Sequence, residues 1–338
     1  MAKILVTGGL GYIGSHTVVA LMANGHQVCV VDDLSNSSLN VLEGISKITG
    51  KKPEFHQFDL RDISATRKYF KAQQSLDGII HFAASKAVGE SVDNPLLYYH
   101  NNLGGLVNLL MHTSAKNIIF SSSCTVYGIP DVLPITESAP IKPAMSPYGN
   151  TKQIGEEILR DTTQADSNLN VIALRYFNPI GAHESAWIGE LPIGVPQNLV
   201  PFITQTAAGL RSELQVFGHD YPTADGTCIR DYIHVMDLAL AHVIAVERLL
   251  NQSNLERFEL FNVGTGSGSS VLEVIESFER VNGVSLPYKL ASRREGDVVE
   301  IYADTTKAFD VLGWKAEQSL DDALKSAWLW ERHVRNIF

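Results

Sequence analysis

The sequence predicts an α/β fold in which a doubly wound parallel sheet carries a smaller, interleaved C-terminal lobe. Three observations support that expectation. Short runs of β-forming apolar residues alternate with helix-length amphipathic stretches through the first half of the chain, the pattern of parallel strands joined by crossover helices. Gly8, Gly9, Gly11 and Gly14 cluster between the first such run and the first helical stretch. Each apolar run stops at small or polar residues, as expected where strand ends line a ligand crevice.

Residues 3–6 are a short run of β-formers, apolar from Ile4 to Val6, and read as a buried strand. Residues 13–24 carry apolar side chains at helical spacing and stop at Gly25, a suitable C′ residue. Residues 27–31 return to a strand pattern and end at Asp32-Asp33, completing a strand–helix–strand unit of about 30 residues. The pattern repeats at 55–58 before Asp59-Leu60, and at 78–82 before Ala83-Ala84. It returns at 117–120 before Ser121-Ser122-Ser123, and at 171–175 before Tyr176-Phe177-Asn178. Helices are expected at 101–115 and 149–164. Residues 181–225 are rich in Gly, Pro and polar residues and read as a capping region. Strands at 231–235 and 258–263 are expected to rejoin the sheet around an apolar helix at 235–250. Helices and loops then alternate to a last helix at 320–333. The expected division is 1–177 plus about 229–265 as the nucleotide domain, and about 178–228 plus 266–338 as a second domain.

The chain has 338 residues, 45% of them hydrophobic, enough for a large core and one large or two modest domains. With 37 acidic and 27 basic residues the formal charge is −10, which argues against nucleic acid binding through a broad basic face. No apolar run approaches the roughly 20 residues that span a bilayer, so no membrane partner is expected. Cys29, Cys124 and Cys228 are scattered. They match neither metal-ligand spacing nor a disulfide framework, so no metal and a cytoplasmic setting are expected. A strand beginning at Lys3 leaves no room for a signal peptide before it.

The string Thr7-Gly8-Gly9-Leu10-Gly11-Tyr12-Ile13-Gly14 fits G-x-G-x-x-G through Gly9, Gly11 and Gly14, and G-x-x-G-x-x-G through Gly8, Gly11 and Gly14. Glycine permits the turn's unusual φ, close approach of backbone to a pyrophosphate, and tight helix–strand packing. The helix starting near Tyr12 presents N–H groups and its positive dipole end to phosphate. A lone glycine pattern is weak. Here a strand precedes it, a helix follows, and Asp32 stands about 20 positions beyond Gly11, where a ribose-binding carboxylate belongs. A tight turn followed by an unrelated surface Asp leaves that context unexplained. The reading is a Rossmann-type NAD site. Asp32 accepts from a ribose 2′-hydroxyl and repels a 2′-phosphate, which favours NAD over NADP. Asp33 adds to the repulsion, and no Arg or Lys stands between Gly25 and Lys47 to offset it.

Tyr148 and Lys152 are four apart on an expected helix, so they share one face. A phenol at its reference pKa of about 10 is a poor base near neutrality. A neighbouring ammonium is expected to lower it and make the pair a proton acceptor for an alcohol or sugar hydroxyl. Y-x-x-x-K arises often by chance on solvated helix faces. Ser123, at the end of a strand, raises its meaning, because its hydroxyl could bridge a substrate oxygen and Tyr148. Cys124 reads as a small buried filler. His16, His81 and His234 read as structural hydrogen-bonding residues.

Together these features resemble the extended short-chain dehydrogenase/reductase superfamily. Several strings are similar to its UDP-glucose 4-epimerase family over residues 3 to about 330. Besides the glycine string extended to Ser15-His16, they are Lys86-Ala87-Val88-Gly89-Glu90-Ser91, Ser121 to Gly128, Arg175-Tyr176-Phe177-Asn178-Pro179, Arg230 to Val235, and Arg293-Arg294-Glu295-Gly296-Asp297. The resemblance implies that Tyr148 takes the proton of the sugar 4-hydroxyl while C4 gives a hydride to NAD. The 4-keto sugar rotates and the hydride returns to its opposite face, so NAD stays tightly bound. It implies that Ser123 holds the 4-oxygen and that Lys152 also binds the nicotinamide ribose. NAD would be lined by Gly8, Gly11, Tyr12, Ile13, Gly14, Asp32, Asp33, Asn36, Ser37, Asp59, Leu60, Phe82, Ala83, Ala84, Lys86, Asn101, Ser123, Tyr148, Lys152 and Phe177. The UDP-sugar would meet Lys86, Ser123, Tyr148, Asn178, Asn198, Leu199, Phe217, Arg230, Arg294, Asp297 and Ile301. Arg230 and Arg294 are suited to clamp a diphosphate in an otherwise acidic chain, although surface ion pairs are their common alternative. The expected partners are UDP-glucose and UDP-galactose, in galactose metabolism, with a homodimer formed through helices 101–115 and 149–164.

Rival readings are a nucleotide-sugar 4,6-dehydratase, a net oxidoreductase, a UDP-N-acetylglucosamine 4-epimerase and a non-catalytic NAD sensor. The dehydratase pattern has Thr-Asp-Glu where this chain has Ser123-Cys124-Thr125, so elimination lacks its carboxylate. Ala84 stands where the epimerase pattern usually has Gly. Ile301 stands at the position resembling a gate beside the sugar 2-substituent, and its size is intermediate. The expectation is a preference for UDP-glucose and UDP-galactose over N-acetylated sugars.

Overall fold

The computed structural model describes residues 1–73, 75–294 and 297–337. Glu295 and Gly296 of the Arg293-to-Asp297 string, and Phe338 at the end of the expected second domain, lie outside the described residues.

The first half is built of β1 (Lys3–Thr7), α1 (Tyr12–Ala23), β2 (Gln27–Asp32), α2 (Asn40–Thr49), β3 (Glu54–Gln57), α3 (Ile63–Ala72) and β4 (Gly78–His81). It continues with α4 (Val88–Asp93), α5 (Pro95–Tyr98), α6 (Gly104–His112), β5 (Asn117–Ser123), α7 (Pro147–Ala165) and β6 (Asn170–Tyr176). The second half holds β7 (Asn178–Ile180), α8 (Leu199–Ala207), β8 (Leu214–Phe217), β9 (Ile229–Arg230), β10 (Tyr232–His234), α9 (Val235–Leu250) and β11 (Phe258–Val263). After it come β12 (Ser269–Ser270), α10 (Val271–Asn282), β13 (Tyr288–Ala291), β14 (Glu300–Ile301) and α11 (Leu320–Arg335).

Among the described residues the main sheet has seven parallel strands in the order β11-β6-β5-β4-β1-β2-β3. Alternate residues of each strand enter opposite cores. Ile4, Val6, Val28, Val30, Ile80 and Ile119 join Val18 and Leu21 of α1 and Leu238 and Val246 of α9. Leu5, Cys29, Ile79 and Ile118 join Phe70 of α3, Leu106 of α6 and Leu159 of α7. The sheet is therefore doubly wound. The order reverses between β1 and β4, and such switch points open a crevice at the carboxyl ends of the strands. Val200, Ile203, Val216, Phe278, Leu324 and Trp328 form a separate core beneath α8, β8, α10 and α11.

Three differences from the sequence reading follow from hydrogen bonding. β5 does not stop at residue 120 but runs to Ser123, paired with β6 up to Ser123↔Tyr176. Each serine hydroxyl finds a buried or local partner, so polar side chains do not end the strand. β11 rejoins the sheet at its edge, whereas β10 pairs with β7 in a separate two-stranded sheet. The helix expected at 101–115 is a wide turn over Tyr99–Leu103 followed by α6. Asn102 turns inward there to bond Ser85 and Thr151.

Candidate active site

The glycine string leaves β1 at the switch point. Gly8 has φ +68°, and a Cβ there would lie 2.7 Å from the Ala83 amide nitrogen. A Cβ on Gly14 would lie 2.2 Å from the Gly8 carbonyl oxygen. The loop therefore folds against the end of β4 and lets α1 pack closely. α1 begins after Gly11 with no side-chain cap and no acid in its first turn among the described residues. Its N-terminal N–H groups and dipole suit an anion.

Asp32 sits buried at the end of β2. Its Oδ2 accepts from the Leu10 amide at 3.0 Å, and its Oδ1 accepts from the Leu34 amide at 2.9 Å and Ser37 Oγ at 2.8 Å. The carboxylate thus ties the glycine loop to the loop after β2. Asp33 instead accepts from the amide and hydroxyl of Ser35. Asp59 is engaged by Arg61 through Nε at 2.8 Å and Nη2 at 2.6 Å. Burial works against the Asp59 charge, but Arg61 outweighs it and holds the carboxyl below its usual range. Arg61 is thus a cation that local inspection around Asp32 missed: its charge also feels Asp33, but its guanidinium is engaged by Asp59.

Leu60 is buried, with its carbonyl accepting from Asn108. Phe82 packs on the His242 ring with centroids 4.6 Å apart. Ile13 and Ala83 pack against the two cores from the crevice side. Asn101 donates to Ser85 Oγ at 2.9 Å. Ala84 is half-buried and Asn36 exposed. Tyr12 donates to the Gly181 carbonyl at 2.6 Å, and Lys86 stands 5.8 Å from its ring centroid.

α7 starts with Ser146 as its cap, accepting from the Gly149 amide at 3.1 Å, and Pro147 in its first turn. Tyr148 and Lys152 are both buried. Lys152 Nζ donates to the Ser121 carbonyl at 2.7 Å and lies 5.8 Å from the Tyr148 ring centroid. Ser123 ends β5 beside them, accepting from the amide and hydroxyl of Thr125 at 3.2 and 3.0 Å.

The expectation that Lys152 lowers the phenol is corrected here. Burial pushes Tyr148 well up, the nearby Tyr176 adds to the rise, and Ser123 opposes it only in part. Burial pulls Lys152 down to about 8, against the charge of Glu156. The ammonium donates to the Ser121 carbonyl, and burial disfavours the charged forms of both side chains. His81, hydrogen-bonded to Thr7 at 2.8 Å, is pushed down to about 3 by burial and by Lys152.

At the other side of the crevice, Asn178 of β7 donates its amide to the Asp231 carbonyl at 3.0 Å. Arg230 on β9 and Arg294 converge on Asp297, at 3.7 Å and 2.8 Å. Arg294 also lies 5.9 Å from the ring centroid of Phe217. Arg293 points elsewhere, to Asp220. Ile301 pairs in register with Arg230 across β14 and β9 and packs with Cys124, Val126 and Phe177. Asn198 stands just before Leu199 at the start of α8 without capping it, and its side chain instead donates to Glu190 Oε1 at 2.7 Å. Cys124 is buried, and burial pushes its thiol up to about 12. His16 bonds the Tyr12 carbonyl, and His234 caps α9.

Two functional candidates escaped the sequence reading. Glu190 joins Lys86 at 3.1 Å to Asn198; it lies in an aperiodic loop and left no signal. Glu156 lies four residues beyond Lys152, a spacing that could have revealed it.

The family described as GDP-mannose 4,6 dehydratase matches residues 5–327. The UDP-glucose 4-epimerase of Bacillus subtilis is 50% identical over 331 residues, 97% of this chain and 96% of the relative. A UDP-glucose 4-epimerase structure from Stenotrophomonas maltophila, with bound NAD and formylated UDP-arabinopyranose, is 47% identical with a TM-score of 0.95, covering 100% of both chains. A UDP-glucose 4-epimerase structure from Bifidobacterium longum, in complex with NAD+ and UDP, is 46% identical with a TM-score of 0.94, covering 99% of this chain and 100% of the other.

Proposed function

The chain belongs to the UDP-glucose 4-epimerase family, within the extended short-chain dehydrogenase/reductase superfamily, and from that premise we propose that it interconverts UDP-galactose and UDP-glucose with a resident NAD. The carrying observation is the meeting of Ser123, Tyr148 and Lys152 at the strand ends, between the glycine loop and the Arg230–Asp297–Arg294 group.

The glycine loop, the α1 N-terminus and Asp32 fit a dinucleotide: the turn excludes a Cβ, and the first helical turn carries no competing acid among the described residues. The chemistry NAD supplies when bound is a reversible hydride acceptor for C4 of the sugar. Tyr148 takes the proton of the 4-hydroxyl and returns it to the epimer. Ser123 hydrogen-bonds the 4-oxygen as it becomes a carbonyl. The Lys152 ammonium, held on the Ser121 carbonyl beside the Tyr148 ring, offsets part of the cost that burial places on the phenolate as the proton moves. Because Tyr148 and Lys152 are buried, proton transfer is shielded from water. Arg230 and Arg294 hold the diphosphate, with Asp297 fixing both guanidinium groups. Phe217 and Leu199 face the uridine end, Asn178 and Lys86 the sugar, and Ile301 limits its 2-substituent.

The nucleotide domain is assigned to 1–177 plus about 229–265, and the UDP-sugar domain to about 178–228 plus 266–338. We assign the enzyme to the cytoplasm; among the described residues no helix is long and apolar enough to cross a membrane. We assign a homodimer: of the two helices expected to form it, α6 exposes Val107 and Met111, side chains whose burial against a second copy is favourable, whereas among the described residues no large apolar side chain is exposed on α7.

Denaturing the purified protein should release NAD, and the native protein should turn UDP-galactose into UDP-glucose without added cofactor. Free NADH accumulating in step with turnover would instead make it a net oxidoreductase. Release of a 4-keto-6-deoxy sugar would make it a dehydratase, against the absence of a carboxylate at Ser123-Cys124-Thr125.

A further inference from the structure

Along α7, Tyr148, Lys152 and Glu156 follow one another at four-residue steps, and all are buried. They therefore share one helix face. Glu156 Oε1 accepts from Ser122 Oγ at 2.5 Å and from Arg175 Nε at 2.8 Å, and its Oε2 accepts from Arg175 Nη2 at 2.5 Å. Arg175 lies on β6 opposite Ser122, in the register that also sets Ser123 opposite Tyr176. Its guanidinium covers the Tyr127 ring at 4.7 Å, and its Nη1 has no hydrogen-bond partner among the described residues. Glu156 thus clamps the ends of β5 and β6 to the helix bearing Tyr148 and Lys152.

We propose that Glu156 is a positioning residue, which keeps the Lys152 ammonium charged and, through Ser122 and Arg175, holds Ser123 in line with Tyr148. This rests on the reading of Lys152 and Ser123 as active-site groups. A buried ion pair is weak evidence for stability, since apolar residues of similar volume often serve as well. Its placement next to Lys152 gives it a second use.

The groups around Lys152 support that use. From its own helix come Tyr148 and Glu156, and from β5 the Phe120 ring at 5.0 Å and the Ser121 carbonyl. From β4 comes His81, held neutral by burial and by Lys152 itself. On β6, burial pushes the Tyr176 phenol up to about 12, and Arg175 is engaged by Glu156. Glu156 is the charge that opposes loss of the Lys152 proton, which burial already favours.

The test is the pH profile of kcat for UDP-galactose on the NAD-loaded enzyme. Glu156→Gln should move the alkaline limb down by about one pH unit, and Glu156→Asp should restore part of it. Glu156→Gln combined with Arg175→Met removes both partners of the Glu156–Arg175 pair, so neither is left buried without the other, and it carries the test if the single variant folds poorly. It should keep a downward shift. A wild-type limb in that double variant would overturn the proposal, leaving Glu156 as a counterion to Arg175. Full activity in Lys152→Met would overturn the reading of the site on which the proposal stands. An inactive Lys152→Met beside an unshifted double variant would overturn the proposal alone.

Discussion

Asp32→Asn tests whether the acid after β2 works by its charge or by its shape. The three donors on the Asp32 carboxylate are the Leu10 amide on Oδ2, and the Leu34 amide and Ser37 hydroxyl on Oδ1. An asparagine has one acceptor oxygen. If it keeps Leu34 and Ser37, its NH2 group faces the Leu10 N–H, donor against donor. The Leu10 contact is buried, and an unpaired buried donor costs about 1–3 kcal/mol. Leu10 belongs to the phosphate loop, so the cost falls on the conformation that holds NAD. It converts to about a 5- to 150-fold loss of NAD affinity, before any loss of a ribose contact. The assay is NAD content after gel filtration, with calorimetric titration of the stripped protein. An Asn variant that keeps its NAD and its wild-type melting temperature would refute the reasoning. Tighter binding of NADP than of NAD by the wild-type protein would refute the role of the charge.

Further outcomes are expected. Tyr148→Phe removes one buried hydroxyl and should lower kcat about 10²- to 10⁴-fold while leaving the circular dichroism and NAD content unchanged; retained turnover would exclude Tyr148 as the proton acceptor. His16 and His81 are pushed down to about 3, and His234 and His242 to about 4, in each case chiefly by burial. Between those values and about 6.5 the unfolded chain binds more protons, so stability rises with pH there and is lost as pH falls below about 6.5, by up to about 1.4 kcal/mol per unit for each histidine. Melting temperatures from pH 7.5 to 4.5 check this, and a flat profile would contradict it. Because Ile301 is buried beside Cys124 and Phe177, kcat/KM should be higher for UDP-galactose than for UDP-N-acetylgalactosamine, and equal values would remove Ile301 as a size gate.

Several elements were readable locally because their physics is local. The glycine string needs a positive φ and the absence of a Cβ, and both requirements are written in residue identity. Gly25 ended a helix, and the apolar runs of β1, β2, β4 and β6 fell where parallel strands must bury both faces. Ser121, Ser122 and Ser123 misled the reading, since three hydroxyls look like the end of a strand. Their partners Tyr176, Glu156 and Thr125 arrive mostly from other elements.

By itself the sequence determined the first strand–helix–strand unit, the glycine loop, the acid at the end of β2 and the Tyr148–Lys152 spacing, because each depends on backbone geometry or helical periodicity within about 30 residues. The tertiary structure decided the electrostatics. It placed Arg61 against Asp59, turned Lys152 toward the Ser121 carbonyl, raised the Tyr148 phenol by burial and gathered Arg230 and Arg294 on Asp297. Desolvation and charge pairing depend on which distant segments exclude water from a site, and no local pattern records that.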